Sequence, residues 1–202
     1  SCLKIFQKGF QRQKEVQDIP GVQKIRSSNF YKGVSGLFGQ FLYLPGETLE
    51  EQKKKLEPEI IFSAIQQGEI ILTKIHDKEI LHRDIKPANL IYNNQKLSII
   101  DFGIAVNFEE HIKDIEKGFF IGSPGFVSQD TSLYRDFYGL GMTLADMLLP
   151  SIPADNFSDK YVDSLAKNLT QIYGKLYSNY FEDLVHRKFY PLESFTNNTV
   201  YF

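Results

Sequence analysis

The chain has a single cysteine, Cys2, in 202 residues, so neither an internal disulfide nor a cysteine-built metal cluster can form within it. That suits a cytoplasmic or other reducing compartment. Long apolar runs are also missing: Ile60-Ile61 and Ile70-Ile71-Leu72 sit among Glu, Gln and Lys, and no window reaches the length needed to span a bilayer. A soluble protein with no membrane span is expected. Charge of one sign is absent too, since 23 Lys and Arg against 25 Asp and Glu leave a net charge of −2. Without a basic surface to neutralise phosphates, nucleic acid is not an expected partner. Tryptophan is absent, yet 17 Phe and 11 Tyr accompany an apolar fraction of 42%, which favours a packed core over disorder.

Periodicity outlines the elements. Residues 2–6 read as a short strand, with Leu3 and Ile5 alternating around Lys4 and Gly9 closing it. Residues 10–18 read as a brief helix stopped by Pro20-Gly21, and residues 22–25 and 38–44 as strands, the second ended by Pro45-Gly46. From Pro58 to about His76, the residues Ile60, Ile61, Ala64, Ile65, Ile71, Leu72 and Ile75 recur at helical spacing. Two short strands, 90–92 and 97–100, flank Asn93-Asn94-Gln95. Phe137, Leu140, Gly141, Leu144, Ala145 and Leu148 predict a buried helix stopped by Pro150. Val162, Leu165, Leu169, Ile172 and Leu176 form a narrower stripe, read as core packing because it is too short for a coiled coil.

The densest chemistry lies in Ile80-Leu81-His82-Arg83-Asp84-Ile85-Lys86-Pro87-Ala88-Asn89, followed by Asp101-Phe102-Gly103. Two acids and an amide placed in loops at strand ends can hold a nucleotide's metal ions beside an incoming hydroxyl, which is phosphoryl-transfer chemistry. The two segments match the signature H-R-D-x-x-x-x-N plus D-F-G at every defining position. The chain thereby resembles the serine/threonine protein kinase family. The resemblance implies Asp84 as the base that orients the acceptor hydroxyl, with Lys86 on the transferred phosphate and Arg83 beside them. It also implies Asn89 and Asp101 as metal ligands, with ATP and Mg2+, or Mn2+ in its place, as cofactors. Lys86 points to a Ser or Thr acceptor on a protein substrate, and with Arg83 it argues against kinases of small molecules.

The same resemblance implies an α+β, two-lobed protein kinase-like fold across residues 1–202. A partial sheet-rich N-lobe and hinge would occupy 1–46, and a helical C-lobe 47–202. Ser1-Cys2-Leu3-Lys4 stands where kinases carry V-A-I-K, which makes Lys4 the nucleotide-gripping lysine and Glu15 its helix partner. Phe41 would guard the adenine pocket, and Leu42 to Leu44 would supply hinge backbone groups. The strands and glycine-rich loop expected before Lys4 are not in the sequence, so a partner or an upstream segment completing the N-lobe is expected. Their absence also motivates the alternative of a pseudokinase acting as a nucleotide-binding scaffold or interaction module.

Gly122-Ser123-Pro124-Gly125-Phe126 resembles the G-T-P-G-Y stretch that shapes the acceptor site. Ser128-Gln129-Asp130 replaces A-P-E, with Arg187 as the partner for Asp130. Asp136 matches the acid that braces the catalytic loop. Between Gly103 and Gly122 there is no Ser, Thr or Tyr, but there are Glu109, Glu110, Asp114 and Glu116. A fixed carboxylate, or nothing, is therefore expected opposite Arg83, where related enzymes place a phosphorylated residue, so that the loop needs no activating kinase.

Overall fold

The computed structural model describes residues 2–30, 37–119, 121–127, 133–150 and 159–187. Helix α1 (Cys2–Val16) buries Gly9, Phe10, Gln13 and Val16, a helical recurrence, and closes through Ile19 N–H to the Val16 carbonyl at 3.0 Å. The strand expected at 2–6 is therefore the first part of a helix. Three alternating residues are too few to separate a two-residue period from a helical one, and no turn follows them. Gly9 lies inside the helix, and the helix expected at 10–18 is its second half.

Strands β1 (Ile25–Phe30) and β2 (Leu37–Phe41) form an antiparallel ribbon with a bulge between Ile25 and Ser27. The expected strand at 22–25 is displaced: Val22 makes one parallel bridge to Ile99. Gly21 and Gln23 exchange hydrogen bonds with Ile99, at 2.7 and 3.1 Å, which fastens the end of α1 to the rest of the molecule. Residues 42–44, expected within the second strand, follow β2 outside any strand.

Strand β3 (Glu47–Thr48) enters helix α2 (Leu49–Gln52) through a capping box of Thr48 and Glu51. Helix α3 (Pro58–His76) has the expected bounds, with Pro at its start and Ile61, Ala64, Ile65, Gly68, Ile71, Leu72 and Ile75 buried. Strand β4 (Ile80–Leu81), a single 3-10 turn (Pro87–Asn89), and strands β5 (Leu90–Asn93) and β6 (Lys96–Ile99) follow. Strand β7 (Val106–Asn107) pairs antiparallel with β4, and β3, β5 and β6 form an antiparallel sheet.

The helical body comprises α4 (Phe108–Glu116), α5 (Arg135–Leu148), α6 (Asp159–Tyr173) and α7 (Lys175–Val185). Helix α5 is buried on nearly every face, as a central helix must be. The stripe from Val162 to Leu176 is not continuous. Gly174, at φ +90°, breaks it into two helices, so Val162, Leu165 and Leu169 are buried while Ile172 and Leu176 are exposed. With small sheets ahead of a helical body, this is an α+β, two-lobed kinase-like fold.

Candidate active site

The loop after β4 turns sharply at Arg83, whose φ of +71° is strained for a side chain of this size. A carboxylate holds the turn. Asp136, 1% exposed on α5, accepts the backbone N–H groups of His82 and Arg83, each at 2.8 Å, and His76 Nε2–H at 2.9 Å. Burial opposes its charge, but the His76 hydrogen bond and the nearby donors outweigh burial and hold the carboxyl well below its ordinary range. His82 donates from Nε2 to the Ile100 carbonyl at 2.9 Å and packs edge-on against Phe102, which ties this loop to the Asp101 turn.

Asp84 then receives four donors. Ser123 Oγ and the Ser123 N–H reach Oδ1 at 2.6 and 3.1 Å, while Asn89 Nδ2 and Lys86 Nζ reach Oδ2 at 3.0 and 2.9 Å. Lys86 also donates to Ser123 Oγ at 2.7 Å, so the hydroxyl bridges cation and carboxylate. Burial raises the Asp84 pKa, but the Ser123 and Lys86 hydrogen bonds outweigh it and the carboxyl lies below its ordinary value. Asp84 is thus an ionised acceptor at neutral pH.

Asn89 spends its Nδ2 on the carbonyl and carboxylate of Asp84, which leaves Oδ1 as its free acceptor chemistry. Its backbone carbonyl accepts Ile100 N–H at 3.0 Å, placing the 3-10 turn beside the residue before Asp101. Asp101 is exposed, adopts φ +62°, and accepts Gly103 N–H at 3.2 Å. Phe102 is buried beneath it. Helix α1 meets this turn at Gly9, where a Cβ would stand 2.2 Å from the Phe102 carbonyl oxygen and 2.5 Å from that of Gly103.

The expected nucleotide clamp is not assembled. Lys4 and Glu15 lie on one helix, eleven residues apart, a separation of about 16 Å along the axis. Glu15 instead pairs with Arg12 at 2.9 Å. Phe41 is partly exposed at the end of β2, edge-on to Phe10 at 6.1 Å. Leu42 donates its N–H to the Lys24 carbonyl at 2.8 Å, and Leu44 is half-buried two residues on. Asp130 lies outside the described residues; Arg187 pairs with Glu69 and stacks over Phe137 with its guanidinium carbon 4.1 Å from the ring centre.

Two further residues complete the site, the second of which the sequence does not mark. Ser123, expected in the stretch that shapes the acceptor site, has its hydroxyl on Asp84 and Lys86. Arg135 is buried and donates from Nη2 to the Ile121 carbonyl, holding the peptide just before Gly122. Nothing in the local sequence marks it. The acid expected opposite Arg83 is Asp114, which accepts Arg83 Nη1–H at 2.6 Å.

The site thus brings together an ionised acceptor flanked by a cation, with an amide oxygen and an exposed carboxylate on adjoining turns. A sequence model of the family described as the protein kinase domain matches residues 39–192. The chain belongs to the protein kinase family. It is 31% identical over 161 residues to a probable cAMP-dependent protein kinase catalytic subunit of Encephalitozoon cuniculi, covering 75% of this chain and 47% of that protein. It is 24% identical over 167 residues to a MAP kinase kinase of Saccharomyces cerevisiae, covering 80% and 32% respectively. The chain therefore spans about half or less of the length of these relatives. Among solved structures, the kinase PK-1 of the Cydia pomonella granulovirus superposes with a TM-score of 0.69 at 17% identity, over 89% of this chain and 73% of that one, a likeness of fold.

Proposed function

We propose that the chain carries the catalytic core of a serine/threonine protein kinase, transferring the γ-phosphate of ATP to a protein hydroxyl. The observation that carries this reading is the bonding of Asp84: an ionised carboxylate fixed by Asn89, Lys86 and Ser123 at 2.6–3.1 Å. Asp84 orients the acceptor hydroxyl and takes its proton, and Lys86 contributes positive charge where the transferred group passes. The place of Lys86 two residues after Asp84 supports a Ser or Thr acceptor, as the family resemblance implies. The carbonyl of Leu42 and the amide of Leu44 are the hinge groups we assign to the adenine, beside Phe41.

The residues present fit a hard divalent cation. Asn89 retains its amide oxygen, and the exposed Asp101 carboxylate has acceptor capacity beyond its one bond to Gly103. Magnesium held there would neutralise charge on the nucleotide phosphates. We assign residues 1–46 to the N-lobe and hinge and the remainder to the C-lobe.

A second reading, a pseudokinase that docks partners, is favoured by one observation: Lys4 and Glu15 share a helix and cannot clamp a nucleotide between them. Transfer of labelled γ-phosphate from Mg-ATP to a generic basic protein separates the two. The kinase reading expects label on Ser or Thr with the wild type and none with Asp101→Ala. Equal counts from both proteins would favour the scaffold.

A further inference from the structure

The segment leaving the Asp101 turn is held by charge at both ends of α4. At its start, Asn107 and Glu110 form a capping box, and Glu110 also pairs with Lys8 at 2.8 Å and Arg12 at 3.3 Å on α1. One turn on, Asp114 takes Nη1–H of Arg83, while Arg83 Nε–H reaches the Ile104 carbonyl at 2.9 Å. The Arg83 side chain is only 2% exposed, against 29% for Asp114. A guanidinium so deeply placed needs a counter-charge, and its own charge reaches buried Arg135, whose pKa is lowered by burial first and by Arg83 as well. Asp136 on α5 favours the charge of Arg135, and its oxygens are already committed to the backbone N–H groups of His82 and Arg83 and to the His76 ring.

Beyond Asp114 the chain leads directly to the site. Phe119 N–H returns to the Asp114 carbonyl at 2.9 Å, Gly118 turns at φ +75°, Ile121 accepts from Arg135, and Ser123 bonds Asp84. No residue from 104 to 121 bears a hydroxyl that could be phosphorylated.

Building on the kinase reading above, we propose that Asp114 is a positioning residue: a permanent counter-charge to Arg83 that seats Ser123 on Asp84, so the segment reaches its working arrangement without phosphorylation by another kinase. A phosphate would supply such a charge reversibly; the carboxylate supplies it for the life of the protein.

The test compares wild type, Asp114→Asn and Asp114→Glu, each treated with a broad-specificity phosphatase and shown phosphate-free by intact mass. Phosphate-free wild type is expected to transfer phosphate at full rate. Asp114→Asn is expected to lower kcat about tenfold or more with KM for ATP changed less than about threefold, and Asp114→Glu to recover most of the loss. Amide hydrogen exchange at Ser123, read in all three proteins regardless of turnover, is expected to accelerate in Asp114→Asn alone. Wild type that regains activity only when rephosphorylated would overturn the proposal, as would unchanged kcat and exchange in Asp114→Asn. Should no variant turn over ATP, the kinase reading fails by itself and Ser123 exchange still decides the role of Asp114.

Discussion

At the scale of single residues, the site depends on one hydroxyl. Ser123 Oγ donates to Asp84 and accepts from Lys86, adding a second link to the direct pair between the two charged groups. Ser123→Ala removes one donor from the carboxylate and one acceptor from the ammonium, which keep only their direct contact at 2.9 Å; hydrogen bonds to charged groups contribute about 1.5–3 kcal/mol, or roughly 10- to 100-fold in rate if expressed in the transition state. Steady-state assays should show kcat falling in that range for Ser123→Ala, with Ser123→Thr close to wild type. Retention of full kcat by the alanine variant would remove Ser123 from the mechanism. The sequence showed Asp84, Lys86 and Asn89 because a single loop carries all three. It could not show their bridge, which arrives from 39 positions away.

At the scale of elements, α1 is the part that local pattern misread. Its closeness to the Asp101 turn rests on Gly9. In a solvent-facing helix, Gly→Ala stabilises by about 1 kcal/mol. Here the added Cβ would meet two backbone carbonyl oxygens, at 2.2 and 2.5 Å, which cannot swing aside as a flexible side chain would. Gly9→Ala is therefore expected to lower both the thermal midpoint and kcat, by displacing Phe102 and Asp101. A midpoint that rises instead would mean α1 does not lie against that turn. The elements that pattern did reveal, α3, β5, β6 and α5, are long enough or sharply enough bounded by Pro and turn residues for their period to be unambiguous. The stripe across α6 and α7 misled because Gly174 interrupts it at an angle that periodicity does not record.

At the scale of the whole molecule, buried charge governs the response to acid. His111 on α4 is 1% exposed and neither ring nitrogen has a hydrogen-bond partner. Burial first, then the charges of Arg135 and Arg83, push its pKa from 6.5 down to about 4, with Asp136 and Asp114 pulling the other way. The unfolded chain takes up that proton at higher pH than the folded one, so stability should fall as pH drops from about 6.5 to about 4, by up to about 3 kcal/mol. Asp136 acts in a lower window: its folded pKa is depressed, so its contribution is complete above the ordinary value of 3.8 and is lost as pH falls below it. Urea midpoints across pH should show both slopes, and His111→Leu should flatten the upper one. An unchanged upper slope in that variant would assign the loss to another group.

Taken alone, the amino-acid sequence determined the identity of the family and the residues the loop carries. Asp84, Lys86, Asn89 and Asp101 stand at spacings set by short turns, and short-range geometry is written in neighbouring residues. Tertiary structure decided which distant groups complete them. Asp114 reaches Arg83 across 31 positions, Asp136 holds the strained turn from 53 positions away, and Gly9 admits α1 to the carbonyls of Phe102 and Gly103. Such contacts depend on how helices pack around a common core. Local periodicity specifies each helix and its buried face, but leaves open which neighbour that face will meet.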